Sequence, residues 1–522
     1  MGQGPSLRRR TFVAAAASAA LAGCERDATV QVQGGFTSAS HELGHLLRDT
    51  REWPAPHTSR RTQVIVAGAG IAGLAAARAL RQRGIEDFAV LDLEAEPGGN
   101  SRAGEIDGIA CPLGAHYLPL PGDDAPELQA LLEELGLRRR VGGHWRYDER
   151  HLVHAPQERL WFRGQWQEGL LPVQDVPAST LEAYRAFGRR IESLRRGARF
   201  AIPMALRPDA RRHPELDALT FAAWLARERF DDELLRGYLD YCCRDDYGAG
   251  IDTVSAWAGV HYFAARHGFH APGSGDVDSA PPLTWPQGNA HLSRALAAPL
   301  EDRFRGGRLV TRIQEAPHGV ELDAYNAATR AVERWQAVHC IVALPVFVAA
   351  RVLATPFDFV QRKLAGTRWA PWLVANLHLK TALAQKEGAA PAWDNVIHGA
   401  RSLGYVDATH QSMNPAREAT VLTWYLAPGE AARKAVLARP WSEWRDEIVT
   451  ELSTPHPDLR RQLTRIDVTR YGHAMAIPTP GTLALAGAPP RTARLSFAHG
   501  DWASYSIFEE AFTLGHHAGR SA

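Results

Sequence analysis

The chain has 522 residues, of which 45% are hydrophobic and 22% are charged, a balance that is ordinary for a globular protein. With 59 basic and 58 acidic residues its net charge is +1, which excludes the strongly basic character of a nucleic-acid-binding protein. The length is sufficient for two interleaved domains with a large core.

The first residues have the pattern of an exported protein. Residues 6–13 (SLRRRTFV) resemble a twin-arginine export signal, and the apolar stretch of about ten residues that follows is too short to span a bilayer. Residues 21–24 (LAGC) resemble a bacterial lipobox, which implies that Cys24 becomes the N-terminus and carries lipid. We therefore expect residues 1–24 to be a twin-arginine lipoprotein signal and the mature protein to be periplasmic and lipid-anchored to a membrane.

The residues after the lipobox refine this expectation. Aspartate directly after the lipid-bearing cysteine often retains lipoproteins at the inner membrane, and Glu25 in its place favours the outer membrane. Residues 25–61 are polar, with scattered Gly, Ser and Pro, and we predict that this interval is a tether.

Residues 64–92 have the pattern of a βαβ unit that binds a dinucleotide. A strand is predicted over 64–67, a helix over 74–83 and a second strand over 85–91, which ends at Asp92. The turn GAGIAG joins the first strand to the helix. Because strand, turn, helix and acid follow in the required order, the segment indicates a Rossmann-type site rather than a chance glycine-rich turn.

Each position of this turn has a separate expected role. Gly68 permits the tight turn, Gly70 lets the backbone approach a pyrophosphate, and Gly73 lets the helix pack close to the strand. The helix N-terminus then offers N–H groups to the phosphates, including those of Ile71 and Ala72.

The residues that follow indicate which dinucleotide is bound. Asp92 is placed to accept hydrogen bonds from a ribose diol, and a Gly-Gly pair and then Arg102 come after it. This order resembles the extended motif of the flavin-containing amine oxidase superfamily, and the resemblance implies FAD rather than NAD. It assigns Gly99 to the cofactor site and places Arg102 near the diphosphate or the flavin. Asn100 replaces the first arginine of the family pattern, so one cationic contact is missing.

The end of the chain resembles the C-terminal FAD motif of the same superfamily. A strand-like run is followed by Asp501 and by a helix that starts near Phe508, although the family usually has one residue fewer before the acid. The resemblance implies that Asp501 binds the ribityl chain and that the helix N-terminus faces the flavin C2 carbonyl. Residues 309–313 resemble the family strand whose backbone contacts the adenine, so Val310 is a further predicted cofactor-binding residue. Because the C-terminal motif contains no cysteine, non-covalent FAD is expected.

These cofactor segments lie far apart along the chain, so the domains must be interleaved. We predict an α/β fold whose Rossmann-type FAD-binding domain comprises residues 62–120, 285–345 and 490–522. An α+β substrate domain would use residues 121–284 and 346–489. Further elements are predicted in chain order as helices over 126–137, 181–193, 290–300 and 443–452, and as strands over 372–379 and 420–425.

Flavin amine oxidases rely on an apolar, aromatic cavity more than on acid–base side chains. The resemblance places Trp393 near the flavin face, where an aromatic wall can hold a cationic amine and Asp394 or Asp407 could add charge. His116 follows the first FAD segment and could hydrogen-bond the substrate or tune the flavin potential. For each of these rings, a purely structural role is the alternative interpretation.

Two positions depart from the family pattern. Asn376 aligns with the lysine that many family members hold near flavin N5, so oxygen is expected to be a poor electron acceptor. The tyrosine of the family's aromatic cage is replaced by Ile507, and Tyr505 is the nearest candidate for that role.

Several reactive groups have no assigned function. Arg244, with Asp245 or Asp246, is also explained by an internal ion pair. Besides Cys24, four cysteines lack metal-ligand spacing, and we expect buried free thiols, although an oxidising compartment would permit disulfides of unknown pairing. These four are Cys111, Cys242, Cys243 and Cys340.

Together the patterns predict an exported, lipid-anchored FAD oxidoreductase that oxidises an amine or polyamine by hydride transfer to flavin N5. A second hypothesis is a desaturase or dehydrogenase of an apolar substrate that passes electrons to a quinone or a protein, which Asn376 favours. A third is a non-catalytic flavoprotein of the cell envelope. The resemblance does not separate these functions, because one scaffold hosts many substrates.

Overall fold

The computed structural model describes residues 32–37, 40–266, 268–273, 281–412 and 418–522. The export signal and Cys24 lie outside the described residues, so the lipid anchor and the periplasmic location stay predictions. Within the described ranges, none of the helices combines the length and the apolar character needed to cross a bilayer.

Most strands belong to two large sheets, and they are numbered here in chain order. Their bounds are β1 Gln33–Thr37, β2 Thr58–Ala67, β3 Phe88–Leu91, β4 Ala103–Ile106, β5 Ile109–Pro112, β6 Tyr117–Leu118, β7 Arg138–Val141, β8 His144–Tyr147, β9 Glu158–Phe162, β10 Gln165–Glu168, β11 Leu283–Thr284, β12 Phe304–Arg305, β13 Arg308–Ala316, β14 Gly319–Asn326, β15 Ala331–Val342, β16 Arg368–Leu379, β17 Asp394–Ile397, β18 Tyr405–Asp407, β19 Thr420–Leu426, β20 Leu463–Ile477 and β21 Leu495–Phe497.

The helices are numbered in the same way. Their bounds are α1 His41–Asp49, α2 Ile71–Gln82, α3 Pro126–Glu134, α4 Ala178–Gly197, α5 Pro214–Asp217, α6 Phe221–Arg227, α7 Glu233–Tyr247, α8 Ala256–Ala264, α9 Ala290–Ala297, α10 Val346–Val352, α11 Asp358–Gly366, α12 Arg433–Ala438, α13 Trp441–Leu452, α14 Leu459–Gln462, α15 Gly500–Ala503 and α16 Phe508–Ser521.

The predicted elements are present, with shifted ends. The strand predicted over 85–91 begins only at Phe88, because Gly84 turns the chain after α2 with a φ of +75°. The helix predicted over 290–300 is α-helical to Ala297 and then tightens to a 3-10 helix. These differences lie at element ends, where local sequence constrains the backbone least.

The first large sheet contains the cofactor-binding elements. Its strand order is β12-β3-β2-β15-β14-β13, and β21 also pairs with β15. Strands β12, β3, β2, β15 and β21 pair in parallel, whereas β13, β14 and β15 form an antiparallel meander. The sheet thus joins strands from all three chain segments in which the sequence indicated FAD motifs.

Helix α2 packs against both this sheet and α16 through glycines. A Cβ added to Gly73 would lie 1.8 Å from the carbonyl oxygen of Gly68, and one added to Gly515 would lie 2.0 Å from that of Ala72. Because a side chain would collide at either position, Gly73 lets α2 start close to the glycine-rich turn, and Gly515 lets α16 approach α2. The C-terminal helix is thereby held against the start of the cofactor-binding unit.

The second large sheet and a group of helices form the rest of the molecule. Its strand order is β1-β20-β16-β19-β18-β17-β9-β10. Helices α4, α6 and α8 contribute Phe187, Trp224 and Trp257 to a fully buried core. Burial of such large rings stabilises this helical layer by roughly 2–3 kcal/mol each.

The C-terminal part of the predicted tether contains regular structure, which corrects that prediction for residues 33–37 and 40–61. Strand β1 pairs in parallel with β20, helix α1 follows, and β2 already begins at Thr58. A Cβ on Gly34 would lie 1.8 Å from the carbonyl oxygen of Ile466, so the pairing depends on a glycine. Composition did not show this, because the partners of the segment, such as Ile466 for the backbone of Gly34 and Tyr325 for the ring of Trp53, lie far away in the sequence.

Candidate functional site

The glycine-rich turn between β2 and α2 has the form of a phosphate cradle. Gly68 adopts a φ of +105°, and a Cβ there would lie 2.3 Å from the carbonyl oxygen of Ala343. Above Gly70, by contrast, an added Cβ would meet no atom within 4 Å. No side chain caps α2, so the N–H groups of its first turn, including Ile71 and Ala72, are available to an anion. The open space and these donors fit a pyrophosphate.

Asp92 lies directly after β3, at the edge of this cradle. Its carboxylate accepts hydrogen bonds from the Ala69 N–H at 2.5 Å and the Glu94 N–H at 2.8 Å. Burial raises the pKa of Asp92 to about 6, although both hydrogen bonds favour the ionised form. Each oxygen retains a lone pair, so the carboxylate can also accept hydrogen bonds from ribose hydroxyls.

Gly99 and Arg102 lie beside the cradle. A Cβ on Gly99 would lie 3.1 Å from the Cα of Gly70, so the Gly-Gly pair packs directly on the turn. Arg102 is buried, its guanidinium lies 3.0 Å from the Glu94 carboxylate, and its Nε donates to the Gly99 carbonyl at 3.1 Å. Arg102 is therefore an internal cation at the cofactor site, and its contact with FAD stays a prediction.

The C-terminal motif meets the same sheet. The Asp501 carboxylate is buried and accepts hydrogen bonds from the Val346 N–H at 2.9 Å and Trp369 Nε1 at 3.1 Å. Burial alone would raise the pKa of Asp501, but His499 and these donors hold it below its usual value. The Asp501 carboxylate already accepts hydrogen bonds from the protein. A hydroxyl of the ribityl chain would therefore have to donate to the same carboxylate.

The two remaining predicted cofactor residues are buried. Phe508 starts α16, whose N-terminus has no side-chain cap. Val310 lies in β13, next to a register shift in its pairing with β14. The contact of the helix start at Phe508 with the flavin and the contact of Val310 with the adenine stay predictions.

A cavity of about 590 Å³ adjoins this region. The Ala115 N–H donates to the Asn100 carbonyl at 2.9 Å, so the wall residue His116 is one residue from a contact with the cofactor loop. The His116 ring lies 4.5 Å from that of Tyr425 and 5.4 Å from that of Trp393. Aromatic residues form much of the wall, namely Tyr117, Tyr238, Tyr241, Tyr262, Phe263, Phe269, Trp393, Tyr405 and Tyr425.

Four carboxylates line this cavity, namely the exposed Glu168 of β10 and three others from distant parts of the chain. Glu158 begins β9, Asp245 lies in α7 and Asp394 begins β17. Loss of contact with water raises the pKa of Asp245 to about 7 and that of Asp394 well above its usual value, with a further rise for Asp394 from Asp245 and Glu158. The pKa of Glu158 is also raised to about 7, although this residue is the most exposed of the three. The mutual repulsion of these carboxylates makes the cavity favourable for a cation.

Sequence reasoning found only part of this set. Asp394 was expected near the substrate, whereas Asp407 lies outside the cavity lining and accepts hydrogen bonds from Thr409 and Thr420. Nothing in the local sequence pointed to Glu158. The suggested pairing of Arg244 with Asp245 or Asp246 was wrong, since Arg244 binds Asp240.

The other two predicted catalytic residues do not line the cavity within the described part of the chain. Asn376 is buried in β16, where its side-chain amide donates to the Pro112 carbonyl at 2.9 Å and accepts from the Thr423 hydroxyl at 2.7 Å. The Tyr505 hydroxyl is buried between Asp246, at 2.5 Å, and Arg266, at 2.6 Å. The structure gives both side chains internal partners.

The four cysteines within the described residues are buried and unpaired. Burial raises the pKa of Cys111 and of Cys340 to about 12, so neither thiol ionises near neutral pH. Cys242 and Cys243 are adjacent on α7 and are equally enclosed. None of these thiols has the electropositive surroundings of a reactive cysteine.

Comparison with known proteins gives two kinds of similarity. Over 296 residues the chain is 29% identical to the provisionally named flavin-containing monoamine oxidase AofH of Mycobacterium tuberculosis, and the alignment covers 56% of this chain and 59% of that protein. Over 176 residues it is 31% identical to putrescine oxidase of Kocuria rosea, covering 34% of this chain and 33% of that protein.

A solved structure of wild-type putrescine oxidase bound to putrescine superposes with a TM-score of 0.66 at 16% identity, covering 89% of this chain and 99% of that one. Cyclohexylamine oxidase from Brevibacterium oxydans gives a TM-score of 0.64 at 18% identity, covering 88% of this chain and 98% of that one. At these identities the similarity establishes the fold, a Rossmann-type FAD domain interleaved with a substrate domain.

A family model described as flavin containing amine oxidoreductase matches residues 71–518. The match begins at the first residue of α2 and ends inside α16, so it includes the cofactor segment from Ile71 through Asp92 to Arg102 and the C-terminal motif, whereas Gly68 and Gly70 precede the match. The cofactor that these motifs hold is FAD, bound non-covalently. The chain therefore belongs to the flavin-containing amine oxidoreductase family, whose members are FAD-dependent oxidoreductases.

Proposed function

We propose that this protein oxidises an aliphatic diamine or a longer polyamine at one terminal amine. The observation that carries the proposal is the convergence of Glu158, Asp245 and Asp394 on an aromatic cavity. Among the described lining residues the only arginine or lysine is Arg266, and it is already paired with Asp246 at 2.9 Å. A cationic substrate would stabilise the ionised forms of these carboxyl groups, whereas an uncharged apolar substrate would leave them protonated and would gain nothing from their position.

The chain's own residues bind and orient the substrate. The carboxylates would hold the ammonium group that does not react, and the aromatic walls would enclose the carbon chain and attract its charged end. Burial lowers the pKa of His116 to about 3, so the ring stays neutral and does not repel an amine cation. When bound, FAD supplies the acceptor, at N5, for the hydride that leaves the carbon next to the reacting nitrogen. The oxidised product, an iminium, is hydrolysed by water to an aldehyde and an ammonium ion.

The experiment is anaerobic bleaching of the flavin by amines matched in length. We expect 1,4-diaminobutane and longer polyamines to reduce the flavin at far lower concentrations than butylamine, because only they carry a second cation. Asp394→Asn should lower this preference about 10–100-fold, as expected for the loss of a charged hydrogen bond worth roughly 1.5–3 kcal/mol. Glu158→Gln should act in the same direction.

Asp407→Asn is the matched control, since Asp407 is a nearby carboxylate outside the cavity lining. It should leave the preference for diamines unchanged. Equal reduction by butylamine and 1,4-diaminobutane in the unmodified protein would refute the proposed substrate class. Reduction by neither would refute amine oxidation itself.

The preference for diamines should also depend on pH. The pKa values of about 7 for Glu158 and Asp245 mean that these carboxyls gain protons, and lose their attraction for a cation, as pH falls below 7. The ratio of kcat/KM for 1,4-diaminobutane to that for butylamine should therefore rise between pH 6 and pH 8. Ionisation of the reacting amine and of the flavin cancels in this ratio. A ratio that stays constant over this range would contradict the assignment of these two carboxylates.

One observation favours a dehydrogenase over an oxidase for the second half of the reaction. Asn376 stands where many relatives have lysine, and both ends of its amide are occupied by Pro112 and Thr423. We propose that reduced flavin passes its electrons to a quinone or a protein more readily than to oxygen. Admitting air after anaerobic bleaching tests this, because rapid return of the oxidised spectrum would identify an oxidase.

A further inference from the structure

The β7–β8 hairpin is a small two-stranded sheet separate from both large sheets. Gly142 and Gly143 form its turn, with φ values of +57° and +84° that match the favoured two-residue hairpin turn. Val141 is 47% exposed and Trp145 is 46% exposed, two of the four large hydrophobic side chains that are exposed in the described residues. The hairpin therefore presents apolar groups to the outside that the fold does not cover.

The same hairpin carries positive charge without compensation. Arg139 lies directly opposite Arg146 in the register, and neither has a carboxylate partner among the described residues. Arg140 forms a hydrogen bond only with the turn, from its Nε to the Gly143 carbonyl at 3.2 Å. Like charges opposite each other destabilise a strand pair, so the arrangement is unfavourable without an external anion.

Arginines elsewhere on the surface are commonly paired. On α4, for example, Arg185 and Arg189 share Glu182, at 3.4 Å and 2.8 Å. What distinguishes the hairpin is that two arginines lie directly opposite each other, in a chain whose net charge is only +1. An anionic partner is the chemistry that would complement them.

One arginine of the hairpin has a different role. Arg138 is buried, its guanidinium lies 3.8 Å from the centre of the Trp145 ring, and it approaches Glu133 at 3.9 Å. This stacking holds the indole in place at the surface. Trp145 is consequently an exposed but oriented aromatic ring, and the guanidinium of Arg140, directly opposite it in the register, lies 5.9 Å from the ring centre.

We propose that the β7–β8 hairpin docks the protein on an anionic lipid bilayer. Trp145 and Val141 would enter the interface between headgroups and acyl chains, a position that tryptophan favours. Arg139, Arg140 and Arg146 would bind lipid phosphates. A bilayer suits a projecting hairpin better than a protein pocket does, because it requires no complementary shape. The proposal is independent of the substrate and of lipid at Cys24.

The test is sedimentation, with vesicles, of the chain without residues 1–24, so that neither the export signal nor a lipid at Cys24 is attached. Vesicles of phosphatidylcholine alone are compared with vesicles that also contain phosphatidylglycerol. We expect binding only to the anionic vesicles. Arg139→Glu with Arg146→Glu should lower the partition coefficient at least about 25-fold, from about fivefold for each arginine near an anionic surface (about 1 kcal/mol). Trp145→Ser should lower it with no change in net charge.

The matched control is Arg362→Glu with Arg460→Glu, which reverses two exposed arginines on α11 and α14. It changes net charge equally and should leave most of the vesicle binding intact. Equal loss in the control would overturn the proposal in favour of a general charge effect. Absence of vesicle binding in the unmodified hairpin would also overturn it and would indicate an acidic protein as the partner. Unchanged oxidation of a soluble amine would show that each variant is folded.

Discussion

Gly70→Val is expected to yield a folded protein that does not retain FAD. The space above Gly70 is open, since an added Cβ meets nothing within 4 Å, so the side chain is accommodated by the protein itself. It would nevertheless occupy the position through which a pyrophosphate reaches the first turn of α2. Loss of two hydrogen bonds to phosphate, roughly 1.5–3 kcal/mol each, lowers affinity on the order of a hundredfold to ten-thousandfold.

The measurement is the visible flavin spectrum and an FAD titration, with circular dichroism to establish folding. Gly35→Val is the matched control, because its Cβ also meets nothing within 4 Å but it lies in β1. Gly73→Val should behave differently from both and lose the fold as well, since its Cβ would lie 1.8 Å from the Gly68 carbonyl oxygen. A normal flavin spectrum in Gly70→Val would refute the assignment of the turn as the pyrophosphate site.

Arg266→Leu is expected to be among the most destabilising single substitutions in this protein. Arg266 donates to the carboxylate of Asp246 at 2.9 Å and to the Tyr505 hydroxyl at 2.6 Å, and both partners are buried. Removal of one partner from a buried ion pair leaves an uncompensated charge and costs about 3–5 kcal/mol. Urea-induced unfolding followed by circular dichroism measures the change.

Two further variants test whether the hydrogen-bonded group of Arg266, Asp246 and Tyr505 acts on stability or on catalysis. Tyr505→Phe keeps the ring but removes one donor to Asp246, so a loss of roughly 1–3 kcal/mol with an unchanged kcat is expected. Arg185→Leu, which breaks an exposed pair with Glu182, should cost less than about 1 kcal/mol. A large fall in kcat for Tyr505→Phe with unchanged stability would instead support the catalytic role that the sequence suggested.

The cofactor-binding unit could be predicted from sequence because its requirements are local. The order of strand, glycine-rich turn, helix and acid lies within residues 64–92, and each glycine meets a backbone constraint that neighbouring residues create. The C-terminal motif could be predicted for the same reason, since it consists of a strand, an acidic residue and the start of a helix within a short stretch of sequence. Element types followed from periodicity, whereas the ends of the elements and the formation of β1 depended on distant backbone partners such as β20.

The lining of the aromatic cavity, in contrast, could not be predicted from the sequence and depended on the tertiary structure. Glu158, Asp245 and Asp394 come from β9, α7 and β17, and no spacing in the sequence relates them. Long-range packing also gave Tyr505 and Asn376 hydrogen-bond partners inside the protein. It left the apolar side chains of the β7–β8 hairpin exposed. Sequence by itself thus determined the family and the cofactor, because backbone geometry near a dinucleotide leaves a local pattern. Only the tertiary structure brought Glu158, Asp245 and Asp394 together at one cavity, because the energies of such charges depend on burial and distance.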